Sequence, residues 1–137
     1  MKNYSVALVV LFLAFTTSAF AQKETKNAMI GTWTYASTDV AKYNNRVADG
    51  SLTAAAKDKA EMYKALFINS KITFNDNGTF VVNAPTRIEK GNFSIGQGDS
   101  MKYEVNGAVT LFYVDSVSAT ELVIRLDDSS ILYHFTK

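Results

Sequence analysis

The sequence predicts an all-β domain with one helical insertion, its eight short strands closing into an antiparallel up-and-down barrel. Three observations carry that expectation. Seven β-like runs follow residue 71, joined by connections too short for parallel crossovers, so neighbours must run antiparallel. Asn77-Gly78 and Asn106-Gly107 supply the positive-φ residues that tight hairpin turns demand. One further strand precedes a stretch whose apolar residues recur at steps of three and four. Closure removes the exposed edges that such strands would otherwise leave; an open sandwich is the alternative.

Residues 1–21 stand apart. A basic start at Lys2, an apolar run from Val6 to Phe15 and the pattern Ala19-x-Ala21 read as a cleaved secretory signal peptide. The run is too short to span a bilayer as a mature helix, so no integral membrane segment is expected. Removing 21 of the 137 residues leaves 116, enough for one domain that buries its core without staples. With Lys2 gone, 13 Lys+Arg balance 13 Asp+Glu, and a neutral exported chain has no electrostatic case for nucleic acid or anionic membrane. Cys is absent, which excludes disulfides, a thiol nucleophile and the acceptor for a lipoprotein anchor. The lone His134 excludes a multi-His zinc site within one chain. The expected compartment is the periplasm or the exterior.

Along the mature chain, Gln22 to Asn27 is polar and without period, and reads as a flexible N-terminus before a domain over residues 28–137. Met29 to Tyr35 alternates as a strand, with Trp33 and Tyr35 on one face. Residues 38–67 form the helical insertion. Ser37 or Thr38 before Asp39 offers a start, and Asp49-Gly50-Ser51 a stop and a fresh cap. Leu52, Ala56, Ala60, Tyr63 and Phe67 then make an apolar stripe. The insertion reads as a fixed cover or as a mobile lid. Ile72 to Phe74 and Thr79 to Val82 flank the first hairpin turn; Pro85 breaks the run, and Ile88 to Ile95 resumes it. Met101 to Val105, Val109 to Val114, Glu121 to Leu126 and Ile131 to Phe135 complete the eight. The faces of Val109 to Val114 are both apolar, and Thr110, Phe112 and Val114 exposed together would make an interface patch.

Ile30-Gly31-Thr32-Trp33 resembles the Gly-x-Trp opening of the lipocalin (calycin) superfamily. The run from Lys71 through Asn75-Asp76-Asn77-Gly78 to Phe80, the Gly91-Asn92-Phe93-Ser94 step and the ending Val117 to Ile124 are similar to the small bacterial lipocalin-like domains. The resemblance spans most of the mature chain. It implies an exported, lipocalin-like eight-stranded barrel holding a small apolar ligand beneath a long connection after the first strand. The Thr-Asp-Tyr motif of the eukaryotic proteins is not evident. For the late Arg that packs over the Trp, Arg125 is the nearest candidate and Lys137 a poorer one.

Strand parity points Trp33, Tyr35, Ile72, Phe74, Phe80, Val82, Phe93, Ile95, Met101, Tyr103, Leu122, Ile124, Ile131, Tyr133 and Phe135 inward. An eight-stranded bore is either filled by such side chains or holds one small ligand, and both readings stand. For the second, the ligand-binding set is Tyr35, Phe74, Phe80, Arg87, Phe93, Tyr103 and Tyr133. Trp33 reads as a plug at the barrel base. Unbroken alternation before Phe93 would turn Gly91, Glu89 and Arg87 inward, and a buried unpaired charge is costly. A bulge at Gly91 that resets the parity is the favoured resolution. The other is a wet barrel mouth, where Arg87 meets a ligand carboxylate.

The remaining motifs carry little chemistry. Asn75-Asp76-Asn77-Gly78 lacks the spacing of a calcium loop, Gly96-x-Gly98 is no phosphate cradle, and no metal or cofactor is implied. His134 should face outward, and no carboxylate pair is spaced for acid–base work. The leading expectation is therefore a non-enzymatic exported protein that binds a small hydrophobic ligand inside the barrel. The alternative is a solid-cored interaction or structural module of the cell envelope.

Overall fold

The computed structural model describes residues 19–126 and 129–137. Most of the expected leader, residues 1–18, lies outside the described residues, as do Asp127 and Asp128 of the last expected turn. Eight strands follow chain order: β1 (Gly31–Asp39), β2 (Lys71–Phe74), β3 (Thr79–Asn83), β4 (Ile88–Ile95), β5 (Ser100–Val105), β6 (Ala108–Val117), β7 (Glu121–Leu126) and β8 (Leu132–Thr136). Each pairs antiparallel with its successor, and β8 pairs back onto β1 to close the barrel. Helix α1 covers residues 19–29, while α2 (Ala41–Ala48) and α3 (Ala54–Phe67) fall in the expected insertion. No helix among the described residues is long and apolar enough to cross a membrane.

In an up-and-down barrel successive connections alternate between the two ends. The insertion, the 84–87 turn and the Asn106-Gly107 turn therefore share one end with the β7–β8 connection. The Asn75 to Gly78 turn and the Gln97–Asp99 turn share the other, with α1. Residues 22–27, expected to be loose, belong to α1 and are tied down. Thr25 Oγ1 donates to Asp99 Oδ1 at 2.8 Å, and Lys26 Nζ lies 5.9 Å from the Phe93 ring centroid. Met29 is fully buried at the helix end, where its carbonyl accepts from Trp33 Nε1 at 2.7 Å. A single apolar anchor leaves little periodicity to read.

Trp33 is fully buried at this end, and Lys137, not Arg125, covers it. The ammonium lies 4.5 Å from the indole and donates to the Ile30 carbonyl at 2.9 Å. Gly31 makes the room: at φ +126°, a Cβ there would lie 2.9 Å from Lys137 Cε. Arg125 instead lies over Tyr113 on the outer wall at 4.7 Å and reaches Asp115 at 3.8 Å.

The expected inward face is buried throughout, with Tyr35 and Ile95 half-buried. Two expectations fail, both through strand parity. Thr110, Phe112 and Val114 face the core, so they form no outer patch; Val109 is the exposed one. The two-residue turn decides it, because Met101 pairs with Phe112 and Tyr103 with Thr110, and directly opposed residues share a face. Nor does β4 bulge at Gly91. Its register with β3 runs unbroken from Asn92 to Ile88, so Gly91 and Glu89 keep inward parity. Gly91 faces Phe80 across the pair, and a Cβ there would sit 2.9 Å from Phe80 Cζ and 1.9 Å from the Glu104 carbonyl oxygen. The shifts lie elsewhere, between Tyr35 and Ser37 in β1 and between Val114 and Ser116 in β6. Because no positive φ is needed at Gly91, Gly91→Ala acts through overpacking alone. It should cost roughly 2–3 kcal/mol in urea denaturation, and an unchanged midpoint would refute the steric account.

Candidate functional site

Helix α3 covers the end of the barrel it shares with the 84–87 turn. Its start is set by Thr53, whose hydroxyl accepts from Ala56 N at 3.2 Å, rather than by Ser51. The Ser51 N–H donates instead to Asp49 at 2.8 Å, in the turn that ends α2. Ala60, Tyr63, Leu66 and Phe67 face the barrel, while Asp58, Glu61 and Met62 face outward. Helix α2 is held to α3 by Tyr43, whose hydroxyl donates to Glu61 Oε1 at 2.6 Å. Burial first, then the Glu61 carboxylate, pushes that phenol up to about 12.

Tyr63 and Phe67 enter the bore and join the strand aromatics into one cluster. Tyr63 meets Phe112 edge-on at 5.0 Å and Tyr103 at 5.6 Å. Phe67 meets Tyr133 at 4.9 Å and Phe135 at 5.5 Å. Below them Phe80 stacks on Tyr103 at 4.1 Å, and Phe74 lies against Phe93 at 4.9 Å. Each tyrosine tip has a partner. Tyr63 donates to Thr110 Oγ1 at 2.9 Å and Tyr133 to the Ala60 carbonyl at 3.1 Å, while Tyr103 donates to Glu89. Burial is the largest cause raising all three phenols above their ordinary value, with the Glu89 bond and charge next for Tyr103.

Of the expected ligand-binding set, Phe74, Phe80, Phe93 and Tyr103 stand together, and Tyr133 joins them through Phe67 and Tyr63. Tyr35 touches the cluster only at its margin, edge-on to Phe135 at 6.1 Å, with its hydroxyl on Thr38 at 2.7 Å. Arg87 stands at the mouth. Its guanidinium is 3.6 Å from Glu89 Oε2, with 48% of the side chain exposed against 16% for Glu89. Glu89 keeps its inward parity by pairing with Arg87 above and Tyr103 beside it, so the wet-mouth reading replaces the bulge.

Beside this pair lies a cavity of about 250 Å³, between Met62, Ala65 and Leu66 of α3 and Ala84, Thr86 and Arg87 of the turn. Only Arg87 of these was an expected site residue. The signal for the rest was topological: the 84–87 turn and the insertion both leave odd-numbered strands, so they meet at one end. His134 is half-buried on β8, with Nδ1 3.5 Å from Glu121 Oε1. Among the described residues no three His, Cys, Asp or Glu side chains converge as a metal site.

Two outcomes follow from this packing. Phe67→Ala should destabilise by about 3–5 kcal/mol, since it empties the space between β8 and α3; a loss below 1 kcal/mol in chemical denaturation would show that α3 does not fill the bore. A phenol with a raised folded pKa stabilises the fold fully below its unfolded value, near 10, and loses that contribution as pH rises toward the folded value. Stability should therefore fall above about pH 10, by roughly 1.4 kcal/mol per pH unit for each such tyrosine, and Tyr103→Phe should remove one tyrosine's share of that slope. Urea midpoints across the alkaline range, followed with phenolate absorbance, test it; an unchanged slope in the variant would refute it.

A scan against family models and a search among curated proteins return no match. Among solved structures the chain is similar to a DUF4847 family protein from Bacteroides vulgatus, with a TM-score of 0.50 and 14% identity, over 79% of this chain and 92% of that one. At that identity the likeness is one of fold.

Proposed function

We propose that this chain is an exported, non-enzymatic binding protein whose ligand, a small hydrophobic molecule bearing a carboxylate, lies at the α3 end of the barrel. The observation that carries the reading is one cavity that joins an apolar wall to a single half-exposed guanidinium. Met62, Ala65, Leu66 and Ala84 suit an apolar body, and Arg87 suits a planar carboxylate that it can bind through two parallel hydrogen bonds. Arg87 is available for this because Glu89 engages it at 3.6 Å, beyond good hydrogen-bond distance, and Glu89 has Tyr103 as a second partner. The volume, about 250 Å³, suits a molecule smaller than most drug ligands. The leader signature supports export, and the lipocalin-like residues support the class. The ligand lies at the mouth of the bore rather than between the rings, because the rings already contact one another and α3.

A second reading, a solid-cored envelope module with no ligand, is favoured by that same ring-on-ring packing. Two measurements separate them. Native mass spectrometry of the mature protein from its own host should show a co-purifying small acid. A fluorescent anilinonaphthalene sulfonate should bind and be displaced by a medium-chain carboxylate, and Arg87→Ala should weaken the carboxylate by about 10- to 100-fold, the worth of a charge-assisted hydrogen bond. Wild-type protein that binds neither probe, or a variant of equal affinity, would sink the proposal in favour of the solid module.

A further inference from the structure

We infer that Asn106 is a site of spontaneous deamidation, and that Asn77, in the same Asn-Gly dipeptide, is protected from it by the fold. The chemistry needs only water. The Gly107 backbone nitrogen, having given its proton to solvent base, attacks Cγ of Asn106 and forms the ring N–C bond of a succinimide. The side-chain nitrogen leaves as ammonia. Water then opens the ring at either carbonyl to give Asp or isoaspartate, so the net change is amide plus water to carboxylic acid plus ammonia, with no oxidation or reduction.

Both dipeptides sit in tight turns with the Asn exposed, and they differ in the hydrogen bonds that hold the reacting groups. Asn77 Oδ1 accepts from Thr79 N at 3.1 Å and from Thr79 Oγ1 at 2.7 Å, which fixes the amide that must be attacked. The attacking nitrogen is held as well, since Gly78 N donates to the Asn75 carbonyl at 3.1 Å. Gly78 is further pinned to β4, where Phe93 N donates to its carbonyl at 2.8 Å. Asn106 and Gly107 are exposed, and the Asn106 side chain has no hydrogen-bond partner among the described residues. A Cβ on Gly107 would meet nothing within 4 Å. The turn therefore has room for the side chain to rotate onto its own backbone. Reaction at Asn77 requires a local opening that breaks three hydrogen bonds first, and such openings scale the rate by their population.

The consequence reaches the barrel. Isoaspartate adds a methylene to a two-residue turn that must keep Val105 opposite Ala108, and either product adds a negative charge at the α3 end.

The test holds the purified mature protein at mildly alkaline pH and samples it over days by tryptic mapping. Cleavage after Lys102 and Arg125 isolates residues 103–125, in which Asn106 is the sole Asn; cleavage after Lys71 and Arg87 gives residues 72–87, in which fragmentation of the peptide separates Asn77 from Asn75 and Asn83. Conversion at Asn106 is expected to be at least roughly tenfold faster than at Asn77 in the native protein, and the two rates should converge in guanidinium. Thr79→Val, which removes the hydroxyl donor, should raise the native rate at Asn77. Native rates that are equal or reversed would overturn the inference. So would a gap that persists undiminished in denaturant, because flanking sequence rather than the fold would then be its cause.

Discussion

The bore of an eight-stranded barrel has a fixed width, and everything else in this molecule is arranged around filling it. The strands supply Phe74, Phe80, Phe93, Tyr103, Phe112, Tyr133 and Phe135, all within 5% of full burial. They do not complete the filling at the α3 end, where Tyr63 and Phe67 come down from the insertion. Aromatic rings suit this task because each buries a large area at little rotamer cost and packs edge-on without voids. Their polar tips impose the second half of the arrangement. A buried hydroxyl without a partner is costly, so the tyrosine tips must find Thr110, Glu89 and the Ala60 carbonyl. Glu89 in turn must find Arg87. The mouth chemistry is thus the outermost link of a chain of satisfied groups that begins in the core.

The opposite end solves the same problem with different residues. Trp33 closes the bore, Met29 from α1 caps it, and Lys137 covers the indole while satisfying the Ile30 carbonyl. Lys serves here because the site rewards a flexible stem and a single donor, which fit the gap left by Gly31. Each end is therefore closed by a helix outside the barrel wall, and both helices contribute buried side chains to one hydrophobic cluster.

Much of this was legible in the sequence. Alternation and turn chemistry suffice to count the strands, order them and choose the inward face wherever one parity is clearly more apolar, as in Ile72-Thr73-Phe74. They fail at β6, where Val109 and Leu111 rival Thr110 and Phe112. The information was nonetheless present: a two-residue turn at Asn106-Gly107 ties Tyr103 to Thr110, and the inward Tyr103 settles the face. At Gly91 the sequence misleads because Glu89 has no partner visible in its local pattern. Its two partners, Arg87 and Tyr103, lie 2 and 14 positions away, and only closure of β4 against β5 brings Tyr103 to it. The groove was illegible residue by residue, because Met62 and Ala65 are ordinary helix-surface residues until the 84–87 turn is placed beside them.

The same coupling decides where a ligand can enter at acceptable cost. Opening α3 to admit a molecule between the rings would expose Tyr63 and Phe67, each worth about 1.5–3 kcal/mol of burial, and break two buried hydrogen bonds at about 1 kcal/mol apiece. The sum, roughly 5–8 kcal/mol, leaves the open state at about one part in 10⁴ to 10⁶, and an interior ligand would have its affinity reduced by that factor. A ligand in the groove beside Arg87 incurs none of this, since α3 stays seated. The filling that stabilises the barrel thus also makes its interior a costlier place than its rim for the proposed ligand.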